Sequence, residues 1–133
     1  MTDNGDPQMA IMLYGAALLL LMLGLAHSWL GERYLLQRLF RNTEALPKLL
    51  GGTSFTKNTL RMVWHLTTVA AFAFALLLLQ IARQASAAEM ANLVGGALLV
   101  SGLLPLVITR ARHLSWLVLF GAAGLCLVWA AQH

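Results

Sequence analysis

Charge is scarce in this chain. Charged residues make up 11% of its 133 residues, whereas an average soluble domain has roughly 25%. Hydrophobic residues make up 59%. A chain with so few charged residues cannot cover an apolar core with a polar surface. The composition therefore excludes a water-soluble globular domain and indicates an integral membrane protein.

Cysteine and the common catalytic motifs are also scarce. Cys126 is the only cysteine, which excludes a disulfide within the chain and any CxxC metal or redox motif. The sequence has no GxSxG nucleophile motif and no HxxxH or HExxH pair. The centres of the apolar segments carry no charge, which argues against an ion path through a single copy. These absences favour a non-enzymatic role.

Long apolar runs are what the chain has in abundance. A bilayer crossing takes about 20 apolar residues, and four segments reach about that length: residues 9–30, 60–81, 91–109 and 114–131. None of them alternates apolar and polar residues as a barrel strand does. The sequence predicts an all-α fold in which residues 1–133 form one antiparallel four-helix transmembrane bundle. Ser86, followed three residues later by Glu89, predicts a capping box before the third helix.

The basic residues are distributed unevenly between the two sides of the predicted bundle. Six of the nine lie between the first segment and the start of the second, and two more lie between the third and fourth. The positive-inside rule then puts the loops with these bases in the cytoplasm and both termini outside, as expected for a bacterial inner membrane. Because the bases flank membrane spans, the net charge of +4 does not indicate a nucleic-acid partner. The expected partners are the lipid bilayer and its anionic lipids.

The segment after Leu30 is amphipathic. Residues 31–59 form the predicted cytoplasmic segment and loop, and the first part places apolar side chains on one face and arginines on the other. Such a helix is typical of a membrane surface. Gly31 offers a position for a bend, and we expect Arg38 and Arg41 to contact lipid headgroups.

Three of the four histidines fall at the same end of different apolar segments: His27, His65 and His113. Ionisable residues within a membrane span indicate a functional site by default. On the second segment, polar residues at spacings of three, four and three share one helix face. A bend near Gly31 would let His27 and Glu32 share a face. Glu32 is the expected partner of Arg61, because an unpaired charge at this depth is costly. The predicted ligand site at the cytoplasmic face comprises His27, Glu32, Arg33, Asn58, Arg61, Trp64, His65 and Thr68.

Several functions remain open for this polar site. The favoured hypothesis is that it binds a small ligand, a lipid headgroup or a partner protein. An alternative is a redox protein that holds haem or a transition metal between His27 and His65, with Glu32 as a further metal ligand. Another is a structural accessory subunit of a membrane complex, or a homo-oligomer. The histidines and tryptophans could also be ordinary interfacial residues.

The orientation is the first testable prediction. Because eight of the nine bases lie on one side, a reporter enzyme fused at His133 should behave as external. A reporter inserted within residues 42–57 should behave as cytoplasmic. Activity of paired periplasmic and cytoplasmic reporters measures this directly, and the reversed pattern would contradict the orientation.

Overall fold

Four helices account for most of the computed structural model, which describes residues 7–50 and 52–133. They are α1 (Pro7–Leu30), α2 (Ser54–Ala82), α3 (Ala87–Ile108) and α4 (Ser115–Ala131). A short 3₁₀ turn at Thr43–Ala45 lies in the loop between α1 and α2. The prediction of an all-helical chain is therefore confirmed for the described residues.

Helix α1 continues beyond Leu30 without a break. It passes into a π-helical segment (Gly31–Leu36) and one further α-turn (Gln37–Leu39). In the π-helical segment the backbone N–H of Gln37 donates to the carbonyl of Glu32, five residues earlier. Such insertions occur mostly as single turns and frequently at functional sites.

Three helical runs are long and apolar enough to cross a membrane: Ala10–Leu39, Ser54–Ala82 and Ala87–Ile108. At 1.5 Å per residue the first two measure about 45 Å and 43 Å, which exceeds a hydrocarbon core of about 30 Å. The fourth apolar segment forms α4, which has 17 residues and measures about 26 Å. The structure thus supports three of the four predicted spans by length.

The amphipathic extension packs partly against α2. Leu36 is 2% exposed, and the π-helical segment contacts α2. The side chains of Arg33, Arg38 and Arg41 are exposed. The extension is helical, as expected, but one edge of it is held by protein, and its position at a membrane surface remains a prediction.

Each helix packs mainly against its neighbour in the chain: α1 against α2, α2 against α3, and α3 against α4. Small residues allow close approach at these contacts. Gly24 on α1 faces the ring of Phe72 on α2. On α3, Gly95 faces Leu127 and Gly102 faces Phe120. Large apolar side chains such as those of Leu19 and Met22 point outward, as expected of surfaces that meet lipid.

The start of α3 confirms the predicted capping box. The Ser86 hydroxyl accepts a hydrogen bond from the Glu89 backbone N–H, and the Glu89 carboxylate accepts one from the Ser86 N–H. Two N–H groups that would otherwise lack partners at the helix start are thereby satisfied. This fixes the start of α3 four residues before the predicted span boundary at Ala91.

Adjacent glycines on α3 offer a matched test of its contact with α4. A Cβ at Gly95 would come within 2.9 Å of the Leu127 side chain, while a Cβ at Gly96 meets nothing within 4 Å. We therefore expect Gly95→Ala to lower the free energy of unfolding by about 1–3 kcal/mol. Gly96→Ala should leave it unchanged or raise it by up to about 1 kcal/mol. Unfolding in mixed micelles measures both, and equal effects would contradict the close α3–α4 contact.

Candidate functional site

An ion pair joins the π-helical continuation of α1 to α2, at the end of the molecule that carries most of the basic residues (the basic end). Arg61 Nη2 lies 2.7 Å from Glu32 Oε1, and Arg61 Nε donates to Glu32 Oε2 at 3.1 Å. Both side chains are partly buried, at 39% and 29% exposure. The two parallel hydrogen bonds match the planar guanidinium fork to the carboxylate, which makes this a strong and directional contact. The structure pairs the two charges, as expected from the cost of leaving either unpaired within a membrane.

His65 lies next to this ion pair. Its Nε2 is 3.5 Å from Glu32 Oε2, and its Nδ1 is 3.1 Å from the Ser28 hydroxyl. Ser28 and Glu32 are four residues apart on α1 and its continuation, and Arg61 and His65 are four apart on α2. Residues at this spacing share a helix face. The Ser28–Glu32 face therefore contacts the Arg61–His65 face across the α1–α2 interface.

Close approach at this level depends on Gly31. A Cβ there would overlap the indole of Trp64, so no other residue fits without displacing that ring. Trp64 Nε1 donates to the His27 carbonyl at 3.1 Å. This hydrogen bond and the lack of a side chain on Gly31 allow the indole to pack directly against the backbone of α1, next to the ion pair.

His27 has a different set of partners. Its ring stacks on Trp64 with centroids 4.3 Å apart and planes 6° apart. Its Nε2 lies 2.8 Å from the Thr67 hydroxyl, which donates its own hydrogen to the Trp64 carbonyl. The Thr67 hydroxyl thus connects the His27 ring to the Trp64 carbonyl. Together with Thr68, His27 and Thr67 line a cavity of about 180 Å³.

Glu32, the acidic partner of the ion pair, and His65 border a separate groove between α1 and α2. Its volume is about 440 Å³, within the range typical of small-molecule sites. Polar groups from Glu32, His65 and Ser28 lie beside apolar surface from Leu25 and Trp29. Arg33 and Gln37 complete the lining. The groove can therefore accommodate a molecule with a polar head and an apolar body.

Phe40 ties the end of the extension to α2. Its ring centre is 5.3 Å from Arg61 Cζ and 5.9 Å from Lys57 Nζ. A cation over an aromatic face is attracted by the ring electrons. Arg61 thus contacts both Glu32 and Phe40, which holds its guanidinium in place.

The predicted site residues divide among three places. Glu32, Arg61 and His65 meet, and Arg33 lines the same groove. His27, Trp64 and Thr68 belong to the neighbouring contact, where the buried Thr68 hydroxyl has no hydrogen-bond partner among the described residues. Asn58 lines a third cavity with Arg110 and Arg112. His27 and His65 consequently line different cavities.

Sequence reasoning missed Ser28, Thr67 and Gln37 as site residues. Ser28 had a usable signal, because it precedes Glu32 by four residues and therefore shares its face. Thr67 and Gln37 had none, since their roles depend on how the two helices are rotated against each other.

The three candidate metal ligands do not form one set. Glu32 is engaged by Arg61, His65 lies beside it, and His27 is directed to Thr67. Within residues 7–50 and 52–133, no three His, Cys, Asp or Glu side chains cluster in a way that could hold a metal ion.

Ser28, His65 and Glu32 have the composition of a catalytic triad. Acyl transfer also requires N–H donors aimed at the developing oxyanion. Ser28 lies inside α1, where backbone N–H groups donate to carbonyls four residues earlier. The backbone N–H groups around Ser28 are therefore already paired within the helix.

No protein-family model, curated protein or solved structure matches this chain. Its function is therefore inferred from the geometry of the site.

The ion pair can be tested with a double-mutant cycle. We expect Glu32→Gln and Arg61→Gln to show a coupling free energy of about 1–2 kcal/mol, because the pair is bidentate and partly buried. A cycle of Glu32→Gln with Arg38→Gln is the control, since Arg38 is exposed, and its coupling should be near zero. Unfolding in mixed micelles measures both cycles, and equal coupling would refute a specific Glu32–Arg61 contact.

Proposed function

We propose that this chain is a polytopic membrane protein that binds an amphipathic small molecule of the bilayer in the groove between α1 and α2. The observation that carries the proposal is that Glu32 and His65 line the polar end of that groove, with Glu32 held in place by its ion pair with Arg61. The ligand's polar head meets these side chains, while its apolar body lies along Leu25 and Trp29. Lipids and other lipid-soluble molecules with a polar head belong to this class.

The depth of the groove supports this assignment. The runs containing α1 and α2 are both longer than the hydrocarbon core is thick, and the bases at one end favour projection of that end beyond the core. Trp29 and Trp64 lie at the level of the groove, and tryptophan is enriched at membrane interfaces. The polar side chains thus sit where headgroups meet acyl chains.

The groove offers both donors and acceptors to a polar head. Arg33, Gln37 and the Ser28 hydroxyl can donate, and Glu32 can accept. His65 can do either, depending on its tautomer. Because Arg61 already neutralises Glu32 and Arg33 adds a positive charge, the groove disfavours a simple cation as the polar head.

The proposal includes an antiparallel four-helix transmembrane bundle, with α4 as the fourth span. It is supported by the order of contacts, since Gly95 and Gly102 on α3 face Leu127 and Phe120 on α4 in reverse order. The uneven distribution of bases supports a bacterial inner membrane, with both termini outside the cytoplasm. In that orientation the groove opens at the cytoplasmic face.

The haem or metal hypothesis receives less support from the geometry, because His27 and His65 line different cavities. The accessory-subunit hypothesis remains a prediction. Gel electrophoresis of the protein purified in mild detergent tests it, because a tightly held protein partner would co-purify.

Extraction of bound small molecules tests the proposed function. We expect protein purified in mild detergent to carry an amphipathic molecule that mass spectrometry of an organic extract detects. His65→Leu should reduce its amount roughly tenfold, because the polar head loses a hydrogen-bond partner.

His113→Leu is the matched control for this experiment. It makes the same substitution at the same basic end of the molecule, but the His113 ring contacts the Ser115 hydroxyl and lies outside the groove. The control should retain the wild-type amount. Equal retention by both variants, or equal loss from both, would show that the groove is not the binding site.

A further inference from the structure

A second polar cavity lies between the start of α2 and the turn that joins α3 to α4. Its volume is about 270 Å³, and three cationic side chains line it: Lys57, Arg110 and Arg112. Ser54 and Asn58 add a hydroxyl and an amide. The cavity is distinct from the α1–α2 groove, with which it shares no lining residue.

The three cations have no carboxylate partner in the part of the chain that the structure describes. The ion pairs found there both involve Glu32, with Arg61 and with His65. Among the described residues, no acidic side chain lines the cavity. Like charges that face one small volume repel each other, so an anion between them is favoured electrostatically.

The turn that presents two of these cations is held firmly. Thr109 is 2% exposed, and its hydroxyl donates to the Pro105 carbonyl and accepts from the His113 N–H. Arg110 and Ala111 have φ values of 53° and 60°, a left-handed conformation that favours glycine. An arginine therefore occupies a position where glycine is the common residue, and its side chain lines the cavity.

We propose that this cavity binds a phosphate group, carried either by an anionic phospholipid or by free inorganic phosphate. The arginine guanidinium forks can each donate two hydrogen bonds to phosphate oxygens. Lys57, on a different helix, adds a charge to the same cavity. Basic pockets between helices on the cytoplasmic side are suited to anionic headgroups. The inference is independent of the proposed ligand in the α1–α2 groove.

Two binding experiments on the full chain distinguish the two sources of phosphate. In the first, equilibrium dialysis of the detergent-solubilised protein measures binding of radiolabelled inorganic phosphate. In the second, reconstitution into phosphatidylcholine nanodiscs measures enrichment of added phosphatidylglycerol around the protein. Binding in the first experiment identifies free phosphate as a ligand, and enrichment in the second identifies the lipid headgroup.

The decisive variant is Arg110→Gly with Arg112→Gln. Glycine suits the φ of 53° at position 110, so the turn should fold at least as well as in the wild type. We expect its phosphate or phosphatidylglycerol affinity to fall at least about tenfold. Lys57→Gln tests the same cavity from α2 and should lower affinity in the same experiment.

The control is Lys48→Gln with Arg83→Gln. It removes the same number of charges from positions outside the cavity and should bind as the wild type does. Absence of wild-type binding in both experiments would overturn the proposal. So would equal loss in the control variant, which would mean that net charge alone attracts the anion.

Discussion

The Glu32–Arg61 ion pair is the interaction on which the polar end of this structure depends. Either charge alone would be costly at the edge of a membrane, and together they are held by two hydrogen bonds. The pair sets the position of α1 and its continuation along the axis of α2. The contact between Ser28 and His65 and the seating of Trp64 against Gly31 both require that alignment.

The same alignment distributes the polar residues of α2 among different neighbours. Arg61 and His65 face α1, whereas Asn58, one turn earlier, faces the turn between α3 and α4. The basic end of the molecule thus has two chemically different sites, the α1–α2 groove and the second polar cavity. The groove beside Glu32 combines a paired carboxylate and the cation Arg33 with apolar walls, while the cavity beside Arg110 holds three cations and, among the described residues, no carboxylate. These differences suit different ligands.

The sequence allowed the helical class, the capping box at Ser86 and the pairing of Glu32 with Arg61 to be predicted. These depend on composition, on local spacing and on the cost of an isolated charge. Their similar depth led us to expect that His27 and His65 share one site, whereas the two side chains line different cavities, because depth says nothing about rotation around a helix axis. The π-helical segment and the fit of Trp64 against Gly31 likewise depend on contacts between helices. The cavity near Arg110 joins residues about fifty positions apart, beyond any local pattern.

The most direct test of this account is a solid-state NMR measurement of nitrogen–carbon dipolar coupling in lipid bilayers. The protein would carry isotope-labelled arginine guanidinium and glutamate carboxyl groups. The account predicts strong coupling between one arginine and one glutamate, from the 2.7 Å contact of Arg61 with Glu32. The coupling should vanish in Glu32→Gln and persist in Glu44→Gln. Absence of coupling in the wild type, or its persistence in Glu32→Gln, would contradict the ion pair.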